Sequence, residues 1–300
     1  KENLTSFDFD EIEVLVVDIQ DVGSTYYTYL STLTYMMEAA AENDIPIVVL
    51  DRPNPLGRNV FGPIKDESYS NFIGLHPIPI RHGMTIGELS FMINGEGWLK
   101  DGRKVDLTII EMNKFPSDMS EFNYWESPSP NISDIETAFL YNGVCLFEGT
   151  NISEGRGTNY PFKIIGAPWI DSAHLIEYIT KLNNDKFDSN IKVEQLLFIP
   201  KSIKSISLNP KYNNQLCNGI MFSLHKSIEP IEFTLYLLDY FYHQYPDTFV
   251  FKDNFFDILY GRSDLRLCLQ QRCNIEIFIE SSFSQDMIDF TKDRKKYLLY

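Results

Sequence analysis

Two β-branched runs, each closing on an aspartate and separated by a helix-patterned stretch, constrain this chain more than any other feature. Glu13-Val14-Leu15-Val16-Val17-Asp18 is continuously apolar, in the manner of a strand buried on both faces of a parallel sheet. After the loop Ile19-Gln20-Asp21-Val22-Gly23, Tyr26, Tyr29, Leu30, Leu33, Met37 and Ala40 recur at helical spacing and predict a helix from about Ser24 to Asn43. Pro46-Ile47-Val48-Val49-Leu50-Asp51 then repeats the first run, which makes the segment a βαβ unit and the fold class α/β. Ligands of open α/β sheets bind beyond the carboxyl ends of the strands. Asp18 to Asp21 and Asp51-Arg52-Pro53-Asn54-Pro55 are therefore expected to face one crevice. No GxGxxG follows either run, so the residues give a dinucleotide no support. For Asp18 or Asp51 alone, capping the next element or bracing a loop ranks above catalysis.

Further along, Arg58 to Leu75 reads as a long irregular loop, a form often used as a functional cover. Thr85 and Glu88 have the spacing of a capping box and predict a helix to about Asn94, with His82 in the turn before it. His82 is a candidate proton donor or sugar ligand, or a hydrogen-bonded brace. Val105 to Ile110 reads as a strand. Ser127-Pro128-Ser129-Pro130-Asn131 cannot continue a helix or a central strand. The domain boundary is placed there, giving 1–126 and 127–300. Ser133 and Glu136 repeat the capping-box spacing before a short helix to Tyr141. Downstream, helices are expected at Ser172 to Leu182, Ile231 to Tyr245, Phe255 to Tyr260 and Ser284 to Lys295, and strands at Lys192 to Ile199 and Asn218 to Leu224. That alternation describes an α+β domain.

The richest polar stretch is Phe147-Glu148-Gly149-Thr150-Asn151-Ile152-Ser153-Glu154-Gly155-Arg156-Gly157. It follows the apolar run Val144 to Phe147, which reads as a strand with Glu148 at its end. Two carboxylates, a guanidinium, an amide and hydroxyls lie among glycines that permit close backbone approach. The same composition describes a solvated turn, and the neighbours of Glu154 also explain it as a loop charge.

Composition removes several classes of function. A net charge of −16 argues against a phosphate backbone as partner. No run approaches the roughly 18 apolar residues of a membrane span, and Lys1-Glu2-Asn3-Leu4 carries no signal pattern. Cys145, Cys217, Cys268 and Cys273 form no CxxC and have no histidine at ligand spacing, so all four read as structural thiols. Asn151-Ile152-Ser153-Glu154-Gly155 lacks the first glycine of a nucleophile elbow. No metal or organic cofactor is indicated. What remains is carboxylate acid/base chemistry on a neutral polyhydroxyl substrate, of which glycoside hydrolysis is the familiar case.

Val17-Asp18-Ile19-Gln20-Asp21-Val22-Gly23 with Tyr27-Thr28-Tyr29, Asp51-Arg52-Pro53-Asn54-Pro55, His82-Gly83-Met84-Thr85-Ile86-Gly87-Glu88, Ser129-Pro130-Asn131-Ile132, Phe147 to Asn151, Gly155-Arg156-Gly157-Thr158 and Gly166-Ala167-Pro168-Trp169-Ile170-Asp171 occur in this order. Together with the closing Arg294-Lys295-Lys296-Tyr297-Leu298-Leu299-Tyr300, the series resembles that of the exo-acting β-N-acetylmuramidases of bacterial cell-wall recycling. The resemblance implies a Rossmann-like first domain, a smaller second one and a site in the cleft between them. It also implies release of N-acetylmuramic acid from the non-reducing end of peptidoglycan fragments, in a periplasmic or secreted setting. On this reading Glu148 and Asp21 are the catalytic carboxylates, with Asp18, Gln20, Tyr27, Arg52, Asn54, His82, Asn131, Asn151, Glu154 and Arg156 binding or orienting the sugar. Arg52 or Arg156 would hold the lactyl carboxylate. The family's upstream Glu-His-Gly motif has no counterpart, since the one His-Gly here is His82-Gly83. The chain is therefore expected to be a fragment or a shortened member, with a sheet edge open to self-association. A sugar-binding module without turnover is the alternative.

Overall fold

The computed structural model describes residues 12–114 and 125–300. Contacts divide it into two compact units, Lys1–Tyr124 with Ser284–Tyr300, and Trp125–Phe283. The boundary expected at 126/127 thus has a second crossing, because the last residues return to the first unit. Positions 116–124 of the boundary segment lie outside the described residues.

In the first unit, β1 (Leu15–Val17), β2 (Ile47–Leu50) and β5 (Leu107–Ile110) form a parallel sheet in the order β1-β2-β5, with Val16 opposite Val48 and Val48 opposite Thr108. Helix α1 (Tyr29–Glu42) makes the β1-to-β2 crossover. It begins later than its apolar spacing suggests because residues 24–28 are occupied elsewhere. Thr25 N donates to Ile80 O at 2.9 Å and Thr25 Oγ1 to Pro79 O at 2.5 Å. Helix α2 (Ile86–Glu96) carries the expected capping box, Thr85 and Glu88 each bonding the other's backbone, and ends at Gly97 with φ +70°. Val17, Leu33, Met37, Ile47, Val49, Met84, Ile86, Leu89 and Ile93 form the core between sheet and helices. The stretch 58–75 is not a free cover. It contains β3 (Phe61–Ile64), which pairs antiparallel with β4 (Pro79–Arg81).

The second unit is α+β. Strands β6 (Ile164–Ala167), β7 (Ile191–Phe198) and β8 (Cys217–Leu224) make an antiparallel sheet in the order β6-β8-β7. Around it stand α3 (Ile135–Val144), α4 (Ser172–Lys186), α5 (Pro230–Gln244), with its proline at the first helical position, and α6 (Asp253–Tyr260). Two short helices, α7 (Asp264–Gln270) and α8 (Ile275–Ser281), were not among the expected elements. Cys268 within α7 and Cys273 just after it are joined in a disulfide across a Cα–Cα distance of 5.1 Å, so only Cys145 and Cys217 are thiols.

Two local expectations are corrected. Asp134, not Ser133, caps α3, accepting from Thr137 N at 2.7 Å. Val144 to Phe147 is no strand: Val144 ends α3, and Cys145–Gly149 is a 3-10 turn. Residues 137–144 of α3 are all buried, and an all-round buried helix has the same continuous apolar pattern as a buried strand. In the first unit, α9 (Ser284–Asp293) places Phe290 in the core, and the following 3-10 turn adds Tyr297.

Candidate functional site

In the second unit the 3-10 turn places Glu148 on the segment that the sequence marks as richest in polar groups. The segment is built by close backbone approaches. Ser153 pairs with Gly166 through hydrogen bonds of 2.8 and 3.0 Å. Arg156 lies between two glycines in the left-handed region, Gly155 (φ +82°) and Gly157 (φ +80°). A Cβ at either would sit 2.6 Å from a carbonyl oxygen, Tyr160 O or Lys201 O respectively.

Arg156 donates to Glu148 Oε1 through Nε at 2.8 Å and Nη2 at 2.7 Å, and its Nε lies 3.9 Å from Glu154 Oε1. The guanidinium also stacks 5.0 Å over the Phe162 ring. Glu154 is 3% exposed, so it is no solvated loop charge. Its Oε2 accepts from Lys211 Nζ at 2.7 Å, and the same ammonium donates to Phe147 O and Ile152 O, each at 2.6 Å. Burial pushes the Glu148 carboxyl above the usual range against the pull of Arg156, and the charge of Glu154 pushes the same way. Burial also works against the charge on Arg156, but Glu148 outweighs it and holds the guanidinium firmly protonated. Burial raises the Cys145 thiol, which removes it as a nucleophile.

Lys211 is the member that the sequence reading missed. It lies 57 positions from Glu154, in a polar loop with no local mark of an ion-pair partner.

The other expected residues of this unit bond to main chain. Asn151 donates to Thr248 O at 2.7 Å and accepts from Val250 N at 2.9 Å. Asn131, 7% exposed, donates to Ile206 O at 3.2 Å. Asn151 thus engages main chain through both ends of its amide, and Asn131 through its nitrogen.

The first unit has its own polar cluster at the carboxyl ends of β1 and β2. Asp18 and Arg52 form a two-point ion pair of 2.5 and 2.9 Å at the surface, which holds the Asp18 carboxyl below the usual range. Gln20 donates to Asp21 O at 2.7 Å and Pro53 O at 2.9 Å, bridging the two strand-end loops. Asn54 donates to Met84 O at 2.9 Å and accepts from Leu56 N at 2.8 Å. Asp51 braces α2, accepting from Thr85 Oγ1 at 2.8 Å and Gly87 N at 2.7 Å.

Asp21 and His82 are both buried. Asp21 Oδ2 accepts from Gly23 N at 2.7 Å and lies 3.3 Å from His82 Nε2, while Asp21 Oδ1 has no hydrogen-bond partner among the described residues. Met84 N donates to His82 Nδ1 at 3.2 Å, which places the ring proton of a neutral imidazole on Nε2; that nitrogen lies 3.3 Å from Asp21 Oδ2 but makes no hydrogen bond among the described residues. Tyr27 is buried with its ring 4.8 Å from that of Tyr29, and burial raises its hydroxyl well above the usual range. The structure therefore gathers Asp18 with Arg52, Asp21 with His82, and Glu148 with Glu154 and Arg156. Asn54, Asn131 and Asn151 each bond to main chain.

A parallel α/β unit and an antiparallel α+β unit, each presenting acid/base side chains on its loops and turns, define a two-unit α/β protein. Comparison with known proteins makes this specific. The family described as "Exo-beta-N-acetylmuramidase NamZ" matches through its N-terminal part over residues 1–136 and through its C-terminal part over residues 139–300. The chain belongs to this family. A peptidoglycan β-N-acetylmuramidase of Bacillus subtilis (strain 168) is 38% identical over 300 residues, covering 96% of this chain and 68% of that protein. Crystal structures of two DUF1343 family proteins from Bacteroides fragilis resemble it with TM-scores of 0.77 and 0.82, at 36% and 28% identity. Each match covers 96% of this chain and 75% of the other. No helix among the described residues is long and apolar enough to cross a membrane.

Proposed function

We propose that this chain is a glycosidase that releases N-acetylmuramic acid from the non-reducing end of peptidoglycan fragments by carboxylate acid/base catalysis. The observation that carries the reading is the Glu148–Arg156–Glu154 cluster, on the segment through which the chain resembles its family, closed by Lys211 from 57 positions away. It contains two carboxylates of unequal character. Glu154 is held against an ammonium, and Glu148 is raised by burial and by its acidic neighbour. A raised carboxyl is the form a general acid needs to protonate a leaving glycosidic oxygen near neutral pH. Arg156 orients it. In the first unit Asp21 is the second carboxylate of the proposal, buried against His82 with one oxygen open.

The test is turnover of a chromogenic β-N-acetylmuramide by the chain, together with sugar binding. Glu148→Gln keeps the shape and the hydrogen bond from Arg156 but removes the proton donor, so the rate is expected to fall by about 1,000-fold with binding retained. Binding without release by the unsubstituted chain favours the module reading. No binding at all refutes both.

A further inference from the structure

The closing segment carries a buried cation that the proposed chemistry has not used. Arg294, 8% exposed, donates through Nη1 to His82 O at 3.0 Å and Gly83 O at 2.8 Å, and through Nη2 to Arg58 O at 2.8 Å. Among the described residues no carboxylate forms an ion pair with it. A guanidinium buried on main-chain carbonyls alone is costly to desolvate. Its planar fork, however, fixes the angle between the groups that it bridges in a way an ammonium does not.

The loop is shaped to receive it. Gly83 has φ +63°, and a Cβ there would lie 2.5 Å from Arg294 Nη1 and 2.5 Å from Arg58 O. The segment bearing Arg294 is itself anchored: Tyr297 donates to Glu96 Oε1 at 2.7 Å, Leu299 N to Glu88 Oε1 at 2.9 Å, and Tyr300 to Asp51 Oδ2 at 3.0 Å. On the far side of the same short loop, Met84 N holds the His82 ring so that Nε2 faces Asp21.

We infer that Arg294 is a positioning residue, which clamps the carbonyls of His82 and Gly83 and thereby sets the His82 ring against Asp21. The inference rests on the reading that Asp21 and His82 act on the substrate.

The test is Arg294→Lys in the full chain, which keeps the charge but cannot span three carbonyls. The expected result on the chromogenic muramide is a kcat lower by about 100-fold, the scale of a misplacement of about 1 Å, with KM changed less than about threefold. Hydrogen exchange at the Met84 amide should accelerate in parallel. A role confined to holding the fold would lower the melting temperature and leave kcat in place, which overturns the inference. His82→Gln separates the two ideas. Lost turnover in His82→Gln beside unchanged kcat and Met84 exchange in Arg294→Lys sinks the clamp and leaves the site standing. Full turnover in His82→Gln removes His82 from the site and the inference with it. Should Arg294→Lys not fold, Gly83→Ala displaces the guanidinium from the loop side and is expected to lower kcat alike; undiminished kcat there overturns the clamp.

Discussion

Two arginines are available for the lactyl carboxylate of the proposed substrate, and their surroundings decide between them. Arg52 pairs with Asp18 at the surface, the two side chains being 37% and 46% exposed, and pairs of this kind contribute about 0–1 kcal/mol. Exchanging Asp18 for a substrate carboxylate therefore costs little. Arg156 and Glu148 are less exposed, at 29% and 23%, and withdrawing Arg156 would strand Glu148 beside the buried Glu154 where burial already raises its carboxyl, which costs more than opening a surface pair. Arg52 is thus the better ligand. Arg52→Ala should weaken binding of N-acetylmuramic acid about tenfold, the value of one charged hydrogen bond, and leave N-acetylglucosamine unaffected in the same titration. Equal weakening for both sugars would count against it. Glu148, Arg156, Asp18 and Arg52 were legible in the sequence because they stand in short polar runs. Lys211 was not, since an ion pair closed across 57 positions leaves no mark near either end.

Elements were legible where their pattern was one-sided or their ends carried turn chemistry. The Thr85/Glu88 cap belongs to this class; the runs before Asp18 and Asp51 read as strands buried on both faces, although Val16 of β1 is 53% exposed, and α3 was legible only to Tyr141. Buried on every side along residues 137–144, it has no polar face to reveal its period, which is why its end read as strand. The same packing makes a specific demand at Gly143, where a Cβ would lie 2.0 Å from Pro230 O and 2.7 Å from Thr234 Oγ1 at the start of α5. Alanine is the better helix former by about 1 kcal/mol. Overpacking against main chain costs about 1–3 kcal/mol or more, and at this separation the clash wins. Gly143→Ala is expected to lose about 2 kcal/mol, measured as a lower denaturant midpoint at unchanged slope. A stabilised variant would show that α3 and α5 do not approach so closely.

Across the whole molecule, what the sequence could not disclose is return. α9 and the residues after it close on the first unit although they follow the second in the chain, and contacts between distant positions have no local signature. His76 ties other parts of the first unit together in the same way. It is 4% exposed, bonds Thr34 of α1 at 2.8 Å and stacks 5.3 Å from Trp98 beyond α2. Burial pulls its imidazole down to about 4 from the ordinary 6.5. The sign follows from which state takes up the proton. Between these values the unfolded chain binds a proton that the folded one refuses, so stability is full above pH 6.5 and falls as pH drops toward 4. The shift corresponds to about 3 kcal/mol. Asp18 and Glu96, both lowered by cationic partners, lose their contributions only below the ordinary carboxylate range, and the raised Asp51 acts with the opposite sign. The diagnostic quantity is therefore the difference between the chain and His76→Gln, which cannot charge. Unfolding free energies measured at pH 7, 5.5 and 4 should converge for the two proteins as pH falls, and curves that stay parallel would show that His76 titrates in the folded state as it does in water.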